Sequence, residues 1–208
     1  MFYPIYLNLT GKRVLVVGGG DVAERKIESL LETGAGIAVV SPDVTSRILL
    51  LATENRVELH RRAYKTGDCA GATFVFSATD DPDVNQKVFK DAHTAGALVN
   101  TADQPSLCDF IMPAVFRRGD ISIAISTGGT SPGLAARLRQ KIARLIGPEY
   151  GKLAQLLARA RPQIIKQIPD QADRKALQYR ILDSDIMTYL KQDDIAGAER
   201  RLREIIES

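Results

Sequence analysis

The sequence predicts an α/β fold of the Rossmann type, a doubly wound parallel sheet, followed by a shorter segment and a helical tail. Strands and helices alternate through residues 1–112, and the strands are continuously apolar. A glycine-rich turn separates the first strand from the first helix. Continuous apolar strands are typical of a parallel sheet that is covered by helices on both faces.

The first strand is predicted at Arg13–Val17, and a helix follows over Val22–Glu32, where apolar residues recur at helical spacing. Gly34 ends this helix in the manner of a C-cap glycine. The later elements of the sheet domain follow in chain order: strand GIAVVS, helix VTSRILLLATEN, strand VELHRR, strand ATFVFSAT, a helix over Asp83–Ala95 and strand ALVNTA.

The pattern changes after residue 112. The segment DISIAIST alternates polar and apolar residues, which predicts a half-exposed strand. A glycine turn then leads into a helix with Ser131 as its N-cap and Pro132 at its first position. After Gly147 the chain is helical to its end. Because these last helices are short, we expect them to pack on the rest of the protein or on a second subunit rather than form a core alone.

Gly18, Gly20 and Ala23 match the G-x-G-x-x-G/A dinucleotide motif, after a strand and at the opening of a helix. Gly18 would make the tight turn, and Gly20 would let the backbone approach a pyrophosphate. Free N–H groups at the start of the helix would bind the phosphates. The alternative is a strand-to-helix turn that needs glycine only for its backbone angles.

An acidic residue that binds the ribose of NAD is expected about 20 residues after such a motif. Ser41 stands at that position, and Asp43 follows two residues later. Ser41 is also small enough to tolerate a 2′-phosphate if Arg47 reached it. The residues alone therefore leave NAD and NADP open.

Ligands of open α/β sheets bind at the carboxyl ends of the strands. The fourth strand brings Thr79 to this edge, and the fifth brings Asn100 and Asp103. Asp81 or Asp83 is expected to cap the helix after the fourth strand. A partly buried Asp103 would accept the proton released when a hydride leaves a substrate carbon. The alternative for Asp103 is a turn-forming aspartate.

The turn Ser126–Gly133 is a second candidate anion site, since Arg137, Arg139 and Lys141 follow it and would suit a substrate with several carboxylates. The turn would also fit a contact between two subunits.

Composition excludes several classes of protein. A net charge of +3, from 28 basic and 25 acidic residues, does not indicate nucleic acid. No stretch approaches the roughly 18 apolar residues that span a bilayer, and the N-terminus is unlike a secretory signal, so we expect a cytoplasmic protein with no membrane partner. Two cysteines and two histidines lack metal-site spacing, so no resident metal is expected. The sequence also lacks the G-x-S-x-G elbow of hydrolases and the Walker lysine of phosphoryl-transfer proteins, which argues against both classes.

Four motifs, VVGGGDVAERK, ATDDPDVN, VNTADQPSLCDFIMPA and ISTGGTSPGLAARLR, stand in the order and spacing of the precorrin-2 dehydrogenase family, which includes the N-terminal module of siroheme synthase. The chain resembles that family over residues 3–148, and the helical tail is similar in general character. The resemblance implies an NAD-binding Rossmann domain at 1–112, a dimerisation and substrate segment at 113–147 and a C-terminal helical domain at 148–208, assembled as an intertwined homodimer.

The resemblance implies oxidation of precorrin-2 to sirohydrochlorin with NAD⁺, and in some members insertion of Fe²⁺, which is then a passing substrate. The essential aspartate of the family falls on Asp103. The candidate cofactor-binding residues are Gly18, Gly20, Asp21, Val22, Ser41, Pro42, Asp43 and Thr79, and the candidate substrate-binding residues are Asn100, Arg117, Thr127 and Arg137. Thr127 stands where a bacterial siroheme synthase carries a phosphorylated serine, and we carry no regulation over to it.

Siroheme synthases carry a methyltransferase domain after this module, so we expect methylation to be done by another protein. Two other functions remain open. One is a regulator whose Rossmann domain senses NAD(H) and whose helical tail binds a partner. The other is a dehydrogenase for a different polycarboxylate.

Overall fold

The computed structural model describes residues 2–207, and the chain divides after Ile111 into two compact units. No helix in the described part of the chain is both long and apolar enough to cross a lipid bilayer. The separate boundary that the sequence predicts at residues 147–148 remains a prediction.

The first unit contains a sheet of five strands, all of them parallel and in the order β3-β2-β1-β4-β5. The doubly wound Rossmann-type fold is therefore confirmed. The chain leaves β1 in one direction and returns to β4 on its other side, so the strand order reverses between β1 and β4, where such sheets bind ligands. The strands are β1 Arg13–Val17, β2 Gly36–Val40, β3 Glu58–His60, β4 Phe74–Ser77 and β5 Leu98–Thr101.

Three helices cover the sheet. The helices are α1 Asp21–Leu30, α2 Ser46–Thr53 and α3 Pro82–Thr94. Short 3₁₀ turns lie after α1, at Leu31–Thr33, and after β5, at Pro105–Leu107. Alternate residues of β1 point to opposite faces, so Val14 and Val16 pack with α1 and α2, whereas Leu15 and Val17 pack with α3. Each such buried side chain stabilises the fold by about 1.5–3 kcal/mol.

The first helix ends two residues before its predicted bound, because the chain tightens into the 3₁₀ turn. Gly34 then adopts a left-handed conformation, with φ at 72°, as its predicted capping role requires.

The second unit begins with an antiparallel hairpin of β6 Ala114–Arg118 and β7 Ile121–Ile125, joined through Gly119 with φ at 56°. The sequence predicted β7 and missed β6, because AVFRR has little alternation and its strand conformation depends on pairing with β7. The following helix, α4 Pro132–Leu145, begins as predicted, since the Ser131 hydroxyl accepts a hydrogen bond from the Leu134 N–H.

Four further helices complete the second unit: α5 Pro148–Gln167, α6 Gln171–Leu182, α7 Ile186–Lys191 and α8 Ile195–Glu207. The expectation that these helices form no core of their own is wrong. Leu156, Ile181, Leu190 and Leu202 are among the buried residues of one continuous apolar cluster within them. The reason is that the four helices pack on one another: α5 packs on α7, α7 on α8 and α6 on α8.

Ser77 and Thr101 are paired neighbours at the ends of β4 and β5, and they give opposite predictions for stability. The Ser77 hydroxyl donates to buried Asn85 Oδ1 at 2.6 Å, whereas the buried Thr101 hydroxyl has no hydrogen-bond partner within residues 2–207. We expect Thr101→Val to raise the free energy of unfolding by about 1 kcal/mol and Ser77→Ala to lower it by about 1–3 kcal/mol. Urea denaturation of both variants measures this, and a loss of stability in Thr101→Val would contradict it.

Candidate active site

Two glycines close the loop after β1 against the neighbouring strand ends. Gly18 has φ at 114°, and a Cβ atom on it would lie 2.1 Å from the Ala78 carbonyl oxygen beyond β4. A Cβ atom on Gly19 would lie 2.0 Å from the carbonyl oxygen of Asp43, beyond β2. The dinucleotide motif allows any residue at position 19, so the sequence does not predict that glycine is required there.

Gly20 differs from its two neighbours. Its φ of −82° suits any residue, and a Cβ atom there would meet nothing within 4 Å. No side chain caps α1, which leaves the N–H groups of its first turn, at Asp21 and Val22, able to bind an anion. Backbone angles therefore explain Gly18 but not Gly20, which is exposed at the start of α1.

The loop after β2 is folded onto the glycine loop. The buried Ser41 hydroxyl donates to the Asp43 carbonyl oxygen at 2.6 Å, and the Thr45 N–H donates to the Gly19 carbonyl oxygen at 2.9 Å. Pro42 and Asp43 are exposed at the edge of the sheet. Arg47 Nε lies 3.2 Å from Glu28 Oε1, and the two side chains form a half-exposed ion pair.

The loop after β4 is organised by Asn85, a buried residue that sequence analysis did not select. Its side-chain amide donates to the Thr79 carbonyl oxygen at 3.0 Å, and the Thr79 hydroxyl accepts from the Asp81 N–H at 3.1 Å. Asp81 in turn accepts hydrogen bonds from the first N–H groups of α3. Of the two aspartates expected to cap this helix, Asp81 therefore does so.

Asp103 lies in the loop of residues 102–110 that follows β5, which we call the Asp103 loop. Its φ is 57°, a left-handed conformation that aspartate tolerates better than most residues. Asp103 itself is exposed, so the partial burial considered from the sequence is not found in the described chain. Within residues 2–207 its carboxylate makes no hydrogen bond, so it is available to a ligand.

Asn100 is buried at the end of β5, and its amide group is fixed from both sides. Its NH₂ group donates to the Phe110 carbonyl oxygen at 2.9 Å, and its Oδ1 accepts from Lys26 Nζ at 3.4 Å. Lys26 reaches this point from α1 and lies 5.6 Å from the centre of the Phe76 ring. Burial lowers the pKa of Lys26, and the nearby Cys108 sulfur and Asp103 carboxylate oppose that shift.

Lys26 was not selected from the sequence. It stands within the GGGDVAERK motif, but only the fold brings it to β5.

The remaining candidates belong to the second unit. Arg137 lines a cavity of about 440 Å³ together with Lys141 and Arg144 on α4. The Thr127 hydroxyl donates to the Ser131 carbonyl oxygen and accepts from the Ser131 N–H, both at 3.0 Å, and so shapes the turn before α4. Arg117 is an exposed residue of β6, which packs against α4. The second unit thus has a cationic surface, and the first has the sheet edge with the glycine loop and Asp103.

Three family models match the chain in succession. Residues 5–114 match the family described as "Putative NAD(P)-binding", residues 118–145 match "Sirohaem biosynthesis protein central", and residues 149–206 match "Sirohaem synthase dimerisation region".

Siroheme synthase of Azotobacter vinelandii is 37% identical over 201 residues, which are 97% of this chain and 43% of that protein. Siroheme synthase of Pseudomonas fluorescens is 40% identical over 185 residues, 89% of this chain and 40% of that protein. The chain thus spans less than half the length of these relatives. The solved structure of SirC, precorrin-2 dehydrogenase, is similar with a TM-score of 0.81 and 30% identity, covering 98% of this chain and 100% of that chain.

We expect Gly20→Ala to preserve the fold and to weaken NAD⁺ binding. The added methyl group meets no protein atom but enters the space over the first turn of α1. An extra methyl group of this kind weakens binding by about 10-fold to 200-fold. Calorimetric titration with NAD⁺ measures the affinity, and thermal unfolding checks the fold. Gly18→Ala is the contrasting variant, because it should fail to fold, and unchanged NAD⁺ affinity in Gly20→Ala would contradict the assignment.

The Asp103 loop is held to α3 by His93. His93 Nδ1 lies 2.9 Å from the Phe89 carbonyl oxygen, and Nε2 lies 3.1 Å from Asp109 Oδ1. Both neighbours are acceptors, so only the protonated ring donates to both. The hydrogen bond to Phe89 and then the one to Asp109 raise the pKa of His93.

A histidine whose pKa is higher in the folded state stabilises the fold below its unfolded pKa, and this stabilisation is lost as the pH rises through the folded pKa. We therefore expect the Tm difference between the native chain and His93→Gln to shrink as the pH rises from about 6 to about 8. Thermal unfolding across this range measures it, with His60→Gln as the control for the other histidine. A difference independent of pH would show that His93 acts only through packing.

Proposed function

The chain belongs to the precorrin-2 dehydrogenase family, and on that premise we propose that it oxidises precorrin-2 to sirohydrochlorin with NAD⁺ as the oxidant. The observation that carries this proposal is the placement of two features at one edge of the sheet. The open N-terminus of α1 offers a site for a dinucleotide, and the exposed Asp103 carboxylate, without a hydrogen bond of its own, offers a base.

Gly20 and the first N–H groups of α1, at Asp21 and Val22, would hold the pyrophosphate. Pro42 and Asp43 would border the adenosine ribose, and Ser41 and Gly18 would shape the loops that carry them. Thr79 would border the cofactor from the end of β4. NAD⁺, when bound, supplies the acceptor for a hydride.

The oxidation removes one hydride and one proton from precorrin-2. Asp103 would accept the proton, because its exposed carboxylate makes no hydrogen bond within residues 2–207. Asn100 would support the site and border the substrate. Its amide group is already hydrogen-bonded to the protein on both sides.

The cations on α4 and β6 of the second unit would suit acetate and propionate groups such as those of precorrin-2. Arg137 lines a cavity with two further cations, Lys141 and Arg144, and Arg117 lies on the strand that packs against the same helix. Thr127 would border the substrate at the turn before α4. Carboxylates are well matched by arginine, which binds them through two parallel hydrogen bonds.

We also propose that the protein is a homodimer. Leu134 and Leu145 on α4 are 51% and 77% exposed, which is unusual for leucines and fits a surface that a second copy covers. The dimerisation and substrate segment at 113–147 and the helical domain at 148–208 belong to this proposal. A cytoplasmic location and Fe²⁺ as a second substrate remain predictions.

The test is the oxidation itself. Purified protein with precorrin-2 and NAD⁺ should give the absorption spectrum of sirohydrochlorin with stoichiometric NADH. An unchanged spectrum with intact NAD⁺ binding would instead support a sensor of NAD(H).

Asp103→Asn tests the base. Asparagine keeps the size and tolerates the left-handed backbone, so we expect the rate to fall about 10²-fold to 10⁴-fold with little change in NAD⁺ affinity. Stopped-flow measurement of NADH formation gives the rate. Asp193→Asn is the matched control, because Asp193 is also left-handed, with φ at 62°, but lies between helices of the second unit. Full activity in Asp103→Asn would overturn the assignment.

A further inference from the structure

A chain of hydrogen bonds joins α1 to the Asp103 loop. It begins at Lys26, whose ammonium group donates to Asn100 Oδ1 at 3.4 Å. Asn100 then donates from its NH₂ group to the Phe110 carbonyl oxygen at 2.9 Å and to Cys108 Sγ at 3.6 Å. Phe110 and Cys108 both belong to the Asp103 loop, so one side chain on β5 holds the loop at two points.

Cys108 fastens the loop to the end of β5. Its sulfur accepts from the Thr101 N–H at 3.2 Å, and its S–H group lies within reach of the carbonyl oxygens of Thr101 and Gln104, at 3.2 and 3.4 Å. The backbones of Asn100 and Cys108 also form an antiparallel bridge. Residues 101–107 are therefore closed into a tight loop, and Asp103 occupies its left-handed position within it.

Lys26 is the charged end of this chain. Its Nζ lies over the Phe76 ring, and its single hydrogen bond within the described residues is the one to Asn100. An ammonium group so placed fixes the orientation of the amide, because only Oδ1 of Asn100 can accept from it. With Oδ1 facing Lys26, the NH₂ group must face Phe110 and Cys108. Lys26 and the Phe110 carbonyl oxygen therefore favour the same orientation of Asn100, and Lys26 supplies the only charged group of the two.

We propose that Lys26 is a positioning residue of this site, which fixes the Asp103 loop by orienting Asn100. The proposal rests on the proposed function, since it assigns Lys26 a part in the same reaction. It also has a direct structural consequence, the tightness of the loop, that can be measured without substrate.

The kinetic test compares three variants. Lys26→Met removes the donor and the charge, and we expect kcat to fall on the order of 100-fold while the KM values for NAD⁺ and precorrin-2 stay within about twofold, because a misplaced base slows the chemical step. Lys26→Arg keeps a cationic donor and should restore much of kcat. Lys87→Met, at an exposed lysine on α3, is the matched control and should match the native chain. A raised KM for precorrin-2 with unchanged kcat would overturn the proposal and make Lys26 a substrate-binding residue.

The structural test uses the two thiols. Cys108 is part-buried, and loosening of its loop should raise its rate of modification by a disulfide reagent about 10-fold in Lys26→Met. Cys69 is fully buried, and burial raises the pKa of its thiol to about 11, so it serves as the slow internal reference. Equal Cys108 rates in the native chain and in Lys26→Met would overturn the proposal.

The two tests separate this proposal from the proposed function. If the native chain does not oxidise precorrin-2, the proposed function fails, and the thiol rates still decide whether Lys26 controls the loop. If the native chain is active and Lys26→Met has both native kcat and native thiol rates, the positioning role alone is wrong.

Discussion

The close approach of three loops at the carboxyl edge of the sheet is the constraint on which the rest of the site depends. The chain after β1 passes so near the ends of β2 and β4 that a single methyl group on Gly18 or Gly19 would overlap a carbonyl oxygen. This approach brings the start of α1 to the point where the strand order reverses. The same edge receives the Asp103 loop from β5, so the glycine loop and Asp103 lie at one edge of the sheet.

At this edge, buried polar side chains support the loops that follow the strands. Ser77 and Asn85 set the loop after β4, Ser41 sets the loop after β2, and Asn100 sets the loop after β5. A buried polar group without a partner costs about 1–3 kcal/mol, so each of these residues is held in one arrangement. Exposed residues at the tips of the loops, such as Asp43 and Asp103, are left to meet ligands.

The sequence predicted most of the fold because the strands and helices of the first unit are encoded locally. Apolar periodicity placed each strand of the sheet, and the caps at Gly34 and Ser131 were found because capping depends on the residue itself. Strand β6 was missed because its pairing with β7 is not local. The core of the last helices was missed because it depends on packing between helices that are far apart in the chain, such as α5 with α7.

For the site, the sequence by itself determined the glycine motif, the edge residues and Asp103, since each follows directly from its position at the end of a strand. Only the tertiary structure decided that Gly19 is as constrained as Gly18, that Asp103 is exposed, and that Lys26 reaches Asn100 across 74 residues of chain. These facts arise where one loop meets another. A close approach or a hydrogen bond between distant segments has no local signature, because neither partner alone differs from an ordinary glycine, lysine or asparagine.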